Sequence, residues 1–499
     1  MKLKRRIISD AANVSMTTIV VAGTQLLETV ILARMLVPEE MGFVAVIAVI
    51  IGFVRSVADL GVSNALIHFQ NTSRAAFSSL YWLIIVFGVF IFCLFFFGRP
   101  AVSHFLPGSG LVRLSGWIGL IFLVSPAGLL YQFFLQKEMR FRRIGFIESV
   151  ARCLGTVTVF SLAVERYGVF SYVAGQIVYS GIKSALFLAV SYRLMPLSLT
   201  FNLSAVRPYL RFGMFQMGER VVSFFASNID YIIIGKFLGT RELGFYKIAY
   251  ELVTAPLKII NPVFNSVALP RFAKIQNDDA ALREGVLQVL RILTLMTFPL
   301  LFGLAASAQV FVPVVYGPGW DRTVPLLWLL TAMGLFKTMG NIGGTIIITK
   351  GRVKTGFIWN CIIALCNTAV FLIAARRGAA AVAAVYSAVS LMYFLLSFRS
   401  YYAVTIQLSL RSYIRNFMLP GLMSAVMGTA AFGLHLALGC AHLGPLVELP
   451  VLVLSGAAVY TVLNMFLTRK ELAGFFSGLR GGDSAHSVAV AGNFPAGEL

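Results

Sequence analysis

The sequence predicts an all-α, polytopic membrane protein with about fourteen transmembrane helices, arranged as two six-helix lobes plus two C-terminal helices. Three observations predict it. Apolar runs of spanning length recur along the whole chain. Only 12% of the 499 residues are charged, about half the share with which a soluble domain covers its surface. A segment near the start, Leu32–Phe43, recurs as Ile234–Phe245.

A spanning helix takes roughly 20 mostly apolar residues. Such runs lie at 14–36, 41–61, 77–97, 113–135, 146–164 and 168–191 in the first lobe. The second lobe has them at 213–235, 244–268, 292–315, 325–349, 355–375 and 379–398, and a last pair follows at 416–438 and 446–468. The runs are continuous and lack the period-two alternation of membrane strands, so they are helices. The first follows a basic start, Met1-Lys2-Leu3-Lys4-Arg5-Arg6. It is too long for a signal h-region and lacks a small-residue cleavage site, so it reads as an uncleaved span. The expected organisation is an N-lobe over 1–212, a C-lobe over 213–410, a helix pair over 411–470 and a flexible tail over 471–499. The longest gaps, 192–212, 269–291 and 399–415, are too short for a folded aqueous domain.

Basic residues set the orientation. Lys137, Arg140, Arg142 and Arg143 share one side with Arg193, Arg207 and Arg211, with Arg271, Lys274 and Arg283, with Lys350, Arg352 and Lys354, and with Arg399, Arg411 and Arg415. The positive-inside rule makes that side cytoplasmic, together with both termini. This placement accounts for the net charge of +21 without nucleic acid as a partner. The five cysteines form no CxxC pair, and the five histidines show no zinc spacing. No GxxxxGK[ST] loop occurs, and no Ser/His/Asp set follows from spacing. An enzyme, a metal site and a bound cofactor are therefore not expected. Asn277-Asp278-Asp279 resembles a metal-binding acidic pair but reads better as a solvated loop.

In the internal repeat, Leu, Glu, Gly and Phe recur without a gap at a shift of 202 residues, and Arg34 matches Lys236. Six helices separate the copies. An even number returns the chain to the same side, so the copies are parallel repeats about an axis along the membrane normal, the layout of two lobes around a central cavity.

Charges inside spans are costly and mark a bundle interior or a wet cavity. They are Glu28, Arg55 and Asp59 in the first lobe, and Glu219, Arg220, Asp230, Lys247, Glu251 and Lys258 in the second. Glu28 shifted by 202 falls on Asp230, and Arg55 and Lys258 differ by 203. Lys247, Glu251 and Lys258 share a helical face. Two readings stand. The charges pair internally, Lys247 with Glu251 and Arg55 with Asp59, and hold helices together. Alternatively, Arg55 and Lys258, with Lys247 and Arg220, line a cationic cavity suited to an anionic headgroup such as a diphosphate. Glu148 and Arg152, spaced i, i+4, read as a structural pair, and Lys183 and Lys337 read as snorkelling from helix ends. Pro256 and Pro262 beside Lys258 predict a bend that is either a moving part or a static kink.

Several segments resemble one family. Ala58-Asp59-Leu60-Gly61-Val62-Ser63-Asn64-Ala65-Leu66-Ile67 with Ser78-Ser79-Leu80-Tyr81-Trp82 is similar to the opening of the polysaccharide transporter family. These are the Wzx-type flippases of the multidrug/oligosaccharidyl-lipid/polysaccharide exporter superfamily. Gly244-Phe245-Tyr246 leading to Pro270-Arg271-Phe272 resembles the start of its second lobe, and Tyr316-Gly317-Pro318-Gly319-Trp320 its motif after the ninth span. The resemblance covers most of residues 1–470. It implies transfer of undecaprenyl-diphosphate-linked oligosaccharide across a bacterial inner membrane for exopolysaccharide, capsule or lipopolysaccharide synthesis, alongside polymerase and export machinery. It also implies diphosphate contact by Arg55 and Lys258. Flippases with several cavity arginines differ from this chain, whose second-lobe residue is Lys, a charge without a bidentate fork. Glu28 and Asp230 are the positions for a coupling proton or cation.

Two other functions fit part of the pattern. A drug or metabolite antiporter of the same superfamily would use Glu28 and Asp230 to bind cations. A membrane glycosyltransferase or polymerase would need an aqueous loop with catalytic acids, and no gap is long enough for one.

Labelling of single introduced cysteines tests the orientation. Positions in the 136–145 and 350–354 gaps are expected to be protected from impermeant thiol reagents in intact cells and to react after permeabilisation. Labelling of both gaps in intact cells would invert the topology.

Overall fold

The structure is a computed structural model that describes residues 2–69, 72–98, 111–440 and 444–467. The expected tail, 471–499, lies outside them. The long helices are α1 (Lys2–Met35), α2 (Pro38–Val57), α3 (Arg74–Phe97), α4 (Leu111–Val124 continuing as Pro126–Lys137), α5 (Phe141–Val164) and α6 (Phe170–Ser191). They continue as α7 (Leu203–Phe237), α8 (Thr240–Lys274), α9 (Asp279–Tyr316), α10 (Thr323–Gly340 with Gly343–Thr349), α11 (Val353–Ala375), α12 (Ala379–Ser397), α13 (Leu410–Cys440) and α14 (Pro445–Leu467). Among the described residues, 12 helices are long and apolar enough to cross a membrane. The other two long helices, α7 and α8, fall short by polarity, not length, at 35 residues each. They carry Arg220, Asp230, Lys247, Glu251 and Lys258, and a span that polar must be screened from lipid by other helices.

The packing repeats after six helices. α1 packs on α5, α5 on α6, α4 on α6 and α3 on α4. Likewise α7 packs on α11, α11 on α12, α10 on α12 and α9 on α10. α13 and α14 lie outside this pattern, against α9. The expected lobes, with a final pair beside them, are therefore the observed architecture. Large apolar side chains such as Phe97, Phe146, Ile373 and Phe466 face outward, as a lipid-facing surface requires.

Two glycines of the repeat join the lobes. A Cβ on Gly42 would run into the Thr240 carbonyl, and one on Gly244 into the Pro38 carbonyl. Pro38 and Thr240 are themselves one repeat apart, so the two contacts are copies of each other about a pseudo-twofold axis between the α1–α2 and α7–α8 turns. Around them Leu32, Met41 and Val44 share one buried core with Ile234, Leu243 and Phe245. The Trp320 indole donates to the Ala33 carbonyl at 2.9 Å, and Arg34 donates to the Val314 and Val315 carbonyls at the end of α9. The lobes are thus zipped together at the turn end of the bundle.

The gaps read as loops are largely helix. α7 begins at Leu203, and Asn202 caps it by accepting from the Ala205 N–H. α8 runs to Lys274 and α9 starts at Asp279, leaving a four-residue connection. Asp278 is the cap of α9, accepting from Ala280 and Ala281, and Asp279 pairs with Lys350 at 2.6 Å. The acidic patch is therefore a helix start, which is what Asn and Asp side chains favour by satisfying orphan N–H groups. The 399–415 gap holds a π-turn, Phe398–Ala403, and the start of α13. α8 stays helical through Pro256 and Pro262.

Gly42→Leu places a side chain where the Thr240 backbone lies. Overpacking of this kind costs about 1–3 kcal/mol or more. A lower melting temperature of the purified protein is expected, with wider spacing between spin labels on the two turns. Unchanged spacing and stability would show that the turns do not need this contact.

Candidate functional site

The in-span charges meet between the lobes and inside the N-lobe. A cavity of about 160 Å³ is lined by Glu28, Thr29, Arg152, Lys247, Glu251 and Lys258, among others. Arg152 Nη2 lies 3.0 Å from Glu28 Oε2, with both side chains more than nine-tenths buried. Thr156 and Gln176 donate to the same carboxylate at 3.5 Å. Across the cavity Lys247 Nζ donates to Glu251 Oε1 at 2.6 Å, and Thr29 Oγ1 donates to Glu251 Oε2 at 2.9 Å. α1 thereby touches α8 through a polar pair, and α1 touches α5 through an ion pair.

Arg55 stands at the edge of this network. Its guanidinium donates to Gln176 Oε1 at 3.3 Å and to Ser180 Oγ at 3.2 Å, both neutral acceptors on α6. Gln176 in turn reaches Glu28, so Arg55 connects to the cavity through one amide. Lys258 lines the cavity and is exposed, and among the described residues it has no hydrogen-bond or ion-pair partner. Arg152 keeps its Nε buried and without an acceptor. Deeper in the N-lobe, Glu148 accepts from Lys183 at 2.7 Å, from Tyr179 at 2.9 Å and from Gln132 at 3.2 Å.

The network can be counted as charge. Arg55, Arg152, Lys183, Lys247 and Lys258 are five cations; Glu28, Glu148 and Glu251 are three carboxylates. With the acids ionised, two positive charges are left over. Arg55 and Lys258 are the two without a carboxylate.

Two expected pairings and two snorkelling readings are corrected. Asp59 pairs with Arg220 across the lobes at 2.7 Å, not with Arg55. Arg220 also donates to Ser63, and a Cβ on Gly61 would meet the Gly213 backbone, so the lobes also touch at the end away from the turns. Arg152 pairs with Glu28 and Glu148 with Lys183, not with each other. Lys337 does not snorkel: it donates to Tyr250 and Tyr386 at 3.2 and 2.9 Å, above their rings. Lys183 is likewise engaged inside the lobe. Lys247 with Glu251 is as expected. Asp230 is 1% exposed and lies away from the cavity, accepting from the Tyr246 hydroxyl at 2.8 Å. Glu219 is exposed. Spacing singled out neither Gln176 nor Tyr179. The available signal was the polar stripe Gln176, Tyr179, Ser180 and Lys183 at i, i+3, i+4 and i+7 on an otherwise apolar helix.

Comparison with known proteins places this geometry. Residues 31–325 match the family model described as polysaccharide biosynthesis protein. The chain is 32% identical over 462 residues to the teichuronic acid biosynthesis protein TuaB of Bacillus subtilis, covering 92% of this chain and 95% of that one. It is 30% identical over 361 residues to the lipopolysaccharide biosynthesis protein WzxC of Escherichia coli K12, covering 72% and 73%. Among solved structures, the lipid II flippase MurJ in an inward closed conformation superposes with a TM-score of 0.72 over 93% of this chain and 100% of that one, at 16% identity. That likeness is one of fold.

The Arg152–Glu28 pair sets a stability test. Arg152→Ala strands a buried carboxylate, for which a loss of about 3–5 kcal/mol is expected. Adding Glu28→Gln removes the stranded charge and is expected to recover most of it. Thermal unfolding in nanodiscs compares the variants; equal stability of Arg152→Ala and wild type would mean that the pair is solvated.

Proposed function

The chain belongs to the polysaccharide biosynthesis protein family, and on that premise we propose that it is a flippase for a polyprenyl-diphosphate-linked oligosaccharide. It moves this substrate from the inner to the outer leaflet of a bacterial cytoplasmic membrane, feeding exopolysaccharide, capsule or lipopolysaccharide assembly. Both termini lie in the cytoplasm, so the zipped turns face outward. Residues 1–212 and 213–410 act as the two moving lobes, and 411–470 as the flanking pair.

The observation that carries the proposal is the surplus of two positive charges at Arg55 and Lys258. A diphosphate that joins a polyprenol to a sugar carries about two negative charges and neutralises that surplus without breaking an internal pair. Arg55 supplies a planar fork and Lys258 a point charge. Lys247 and Arg152, already paired, shape the site around them. The cavity, at about 160 Å³, is too small for an oligosaccharide, so loading needs the lobes to separate. The Asp59–Arg220 pair and the Gly61–Gly213 approach close the cytoplasmic end beside α2 and α7 and have to release there. Zipping at the turns and clasping at the opposite end are the contacts that alternate during transport.

A second role is proposed for the acids. Asp230 is buried, and among the described residues no cation lies within ion-pairing distance of it. That suits a coupling proton or cation, and the same feature is what a cation-coupled antiporter would use. Glu28, held by Arg152, is the weaker position for one.

Arg55→Ala and Lys258→Ala are expected to lower surface polysaccharide about tenfold or more each, since one charge-assisted hydrogen bond contributes about 1.5–3 kcal/mol. Membrane insertion is expected to stay normal, lipid-linked intermediate to accumulate and drug sensitivity not to change. Wild-type export by the double variant would remove the diphosphate reading. Altered drug sensitivity with normal polymer would favour the antiporter.

A further inference from the structure

Three cations surround one ring inside the N-lobe. The guanidinium carbon of Arg55 lies 5.5 Å from the Tyr179 ring centroid, that of Arg152 5.4 Å, and Lys183 Nζ 5.6 Å. All three are within cation–π range of an aromatic face. Each comes from a different place: Arg55 from α2, Arg152 from α5 and Lys183 from α6 itself. Both guanidiniums lie within 5.5 Å of one centroid, so they are no more than 11 Å apart. Left to themselves, like charges at such separations drive one another outward.

Their anchoring differs. Arg152 has the Glu28 carboxylate, and Lys183 has Glu148. Arg55 has no carboxylate: Gln176, Tyr179 and Ser180 are what hold it. These three occupy i, i+3 and i+4 on α6, a single helical face. The Tyr179 hydroxyl donates to Glu148 at 2.9 Å, a carboxylate that also accepts from Lys183 and Gln132. The ring itself lies within 5.5 Å of both N-lobe guanidiniums, so it is the aromatic face that the two arginines share.

We propose that Tyr179 is a positioning residue which holds Arg55 and Arg152 as a preformed pair of guanidiniums, matched to the two adjacent phosphoryl groups of a diphosphate and not to a single phosphate. The proposal rests on the flippase reading and narrows it, because it assigns discrimination between diphosphate and monophosphate to one aromatic ring. Arg55 is the fork without a carboxylate, and Arg152 contributes its buried Nε, which has no acceptor of its own. Losing the ring frees Arg55 to swing, and the Arg55 fork and the Arg152 Nε then no longer meet two phosphoryl groups in register. A single phosphate, which needs one fork, loses little.

The test uses the full chain in nanodiscs, with inorganic diphosphate and inorganic phosphate as competing probes against thermal unfolding. Wild type is expected to bind diphosphate at least about tenfold more tightly than phosphate. Tyr179→Phe and Tyr179→Trp keep a ring and are expected to stay within about threefold of wild type. Tyr179→Leu is expected to lose most of the preference for diphosphate while phosphate affinity changes less than threefold. Rescue by the ring and not by the hydroxyl separates positioning from general packing, since loss of packing would weaken both probes alike. Undiminished diphosphate preference in Tyr179→Leu, or equal loss for both probes, overturns the proposal. If wild type shows no diphosphate preference while Arg55→Ala still abolishes export, the flippase reading stands and the role of Tyr179 in selectivity falls. If wild type has no preference and Arg55→Ala exports normally, the flippase reading falls with it. Should Tyr179→Leu fail to insert, the comparison of Tyr179→Phe with Tyr179→Trp and Tyr179→Met carries the test, with Met expected to behave as Leu.

Discussion

A charge placed in a lipid bilayer must be paired, wetted or removed, and the rest of this structure follows from how its in-span charges meet that demand. Insertion of an unpaired charge at the bilayer centre costs about 2.5–3.5 kcal/mol on biological scales. The chain places its most polar long helices, α7 and α8, where other helices screen them. It sets Glu28 against Arg152, Glu148 against Lys183, Glu251 against Lys247 and Asp59 against Arg220. Lys337 sits among tyrosine hydroxyls. What remains is Lys258, which lines the cavity, Arg55, held at its edge by Gln176 and Ser180, and Asp230, held by the Tyr246 hydroxyl.

The same demand explains why the lobes are joined as they are. Close backbone contact is possible where side chains are smallest, and the two repeat glycines give it at one end of the bundle. Gly61 and Gly213 give it at the other, beside the Asp59–Arg220 pair. α2 takes part in both contacts, touching α8 near its start and α7 just beyond its end. It therefore acts as a strut whose two ends lash the lobes by different chemistry. The turn end rests on two symmetric glycine contacts and a shared apolar core, with hydrogen bonds from Arg34 and Trp320 beside them. The opposite end is ionic and has no counterpart in the repeat, since Asn261 stands where a second Asp59 would be and buries its amide oxygen without a partner. Opening at one end trades apolar area for lipid or water. Opening at the other trades an ion pair for hydration, a smaller penalty once the groups are wet.

Helices were legible because spanning length and continuous apolarity are local properties. The lobes were legible because Leu32–Phe43 kept its match after six helices. Pairing was not legible, and Asp59 shows why. Spacing of four puts Arg55 beside Asp59 on one helix, but such neighbours gain only about 0.3–0.5 kcal/mol. A partner reached across the bundle, with a serine hydroxyl and a backbone N–H completing its shell, outcompetes that, and no one-dimensional pattern reports it. Glu148 and Arg152 failed for the same reason. Lys337 failed because its acceptors are phenols on α8 and α12, which sequence reads as apolar bulk. The gap helices are harder to see because their starts are marked by single capping residues: Asp278, in a stretch that reads as a solvated loop, caps α9, and Asn202 caps α7.

The sign of the leftover charge favours the proposed flippase chemistry over that of a cation antiporter. A cationic drug entering the cavity would raise the surplus from two positive charges to three, in a space where each is expensive. To bind it, the protein would first have to free Glu28 or Glu251, and each is committed to a basic neighbour at 3.0 Å or less. An anion carrying two charges meets the opposite situation. It finds two unpaired cations, one per lobe and nearly one repeat apart, and a second guanidinium, that of Arg152, with a donor to spare. Binding it removes the surplus, so the loaded site crosses the oily layer closer to neutrality than the empty one. On the proposed function, carrying the headgroup therefore lowers the electrostatic penalty of the rearrangement that transports it.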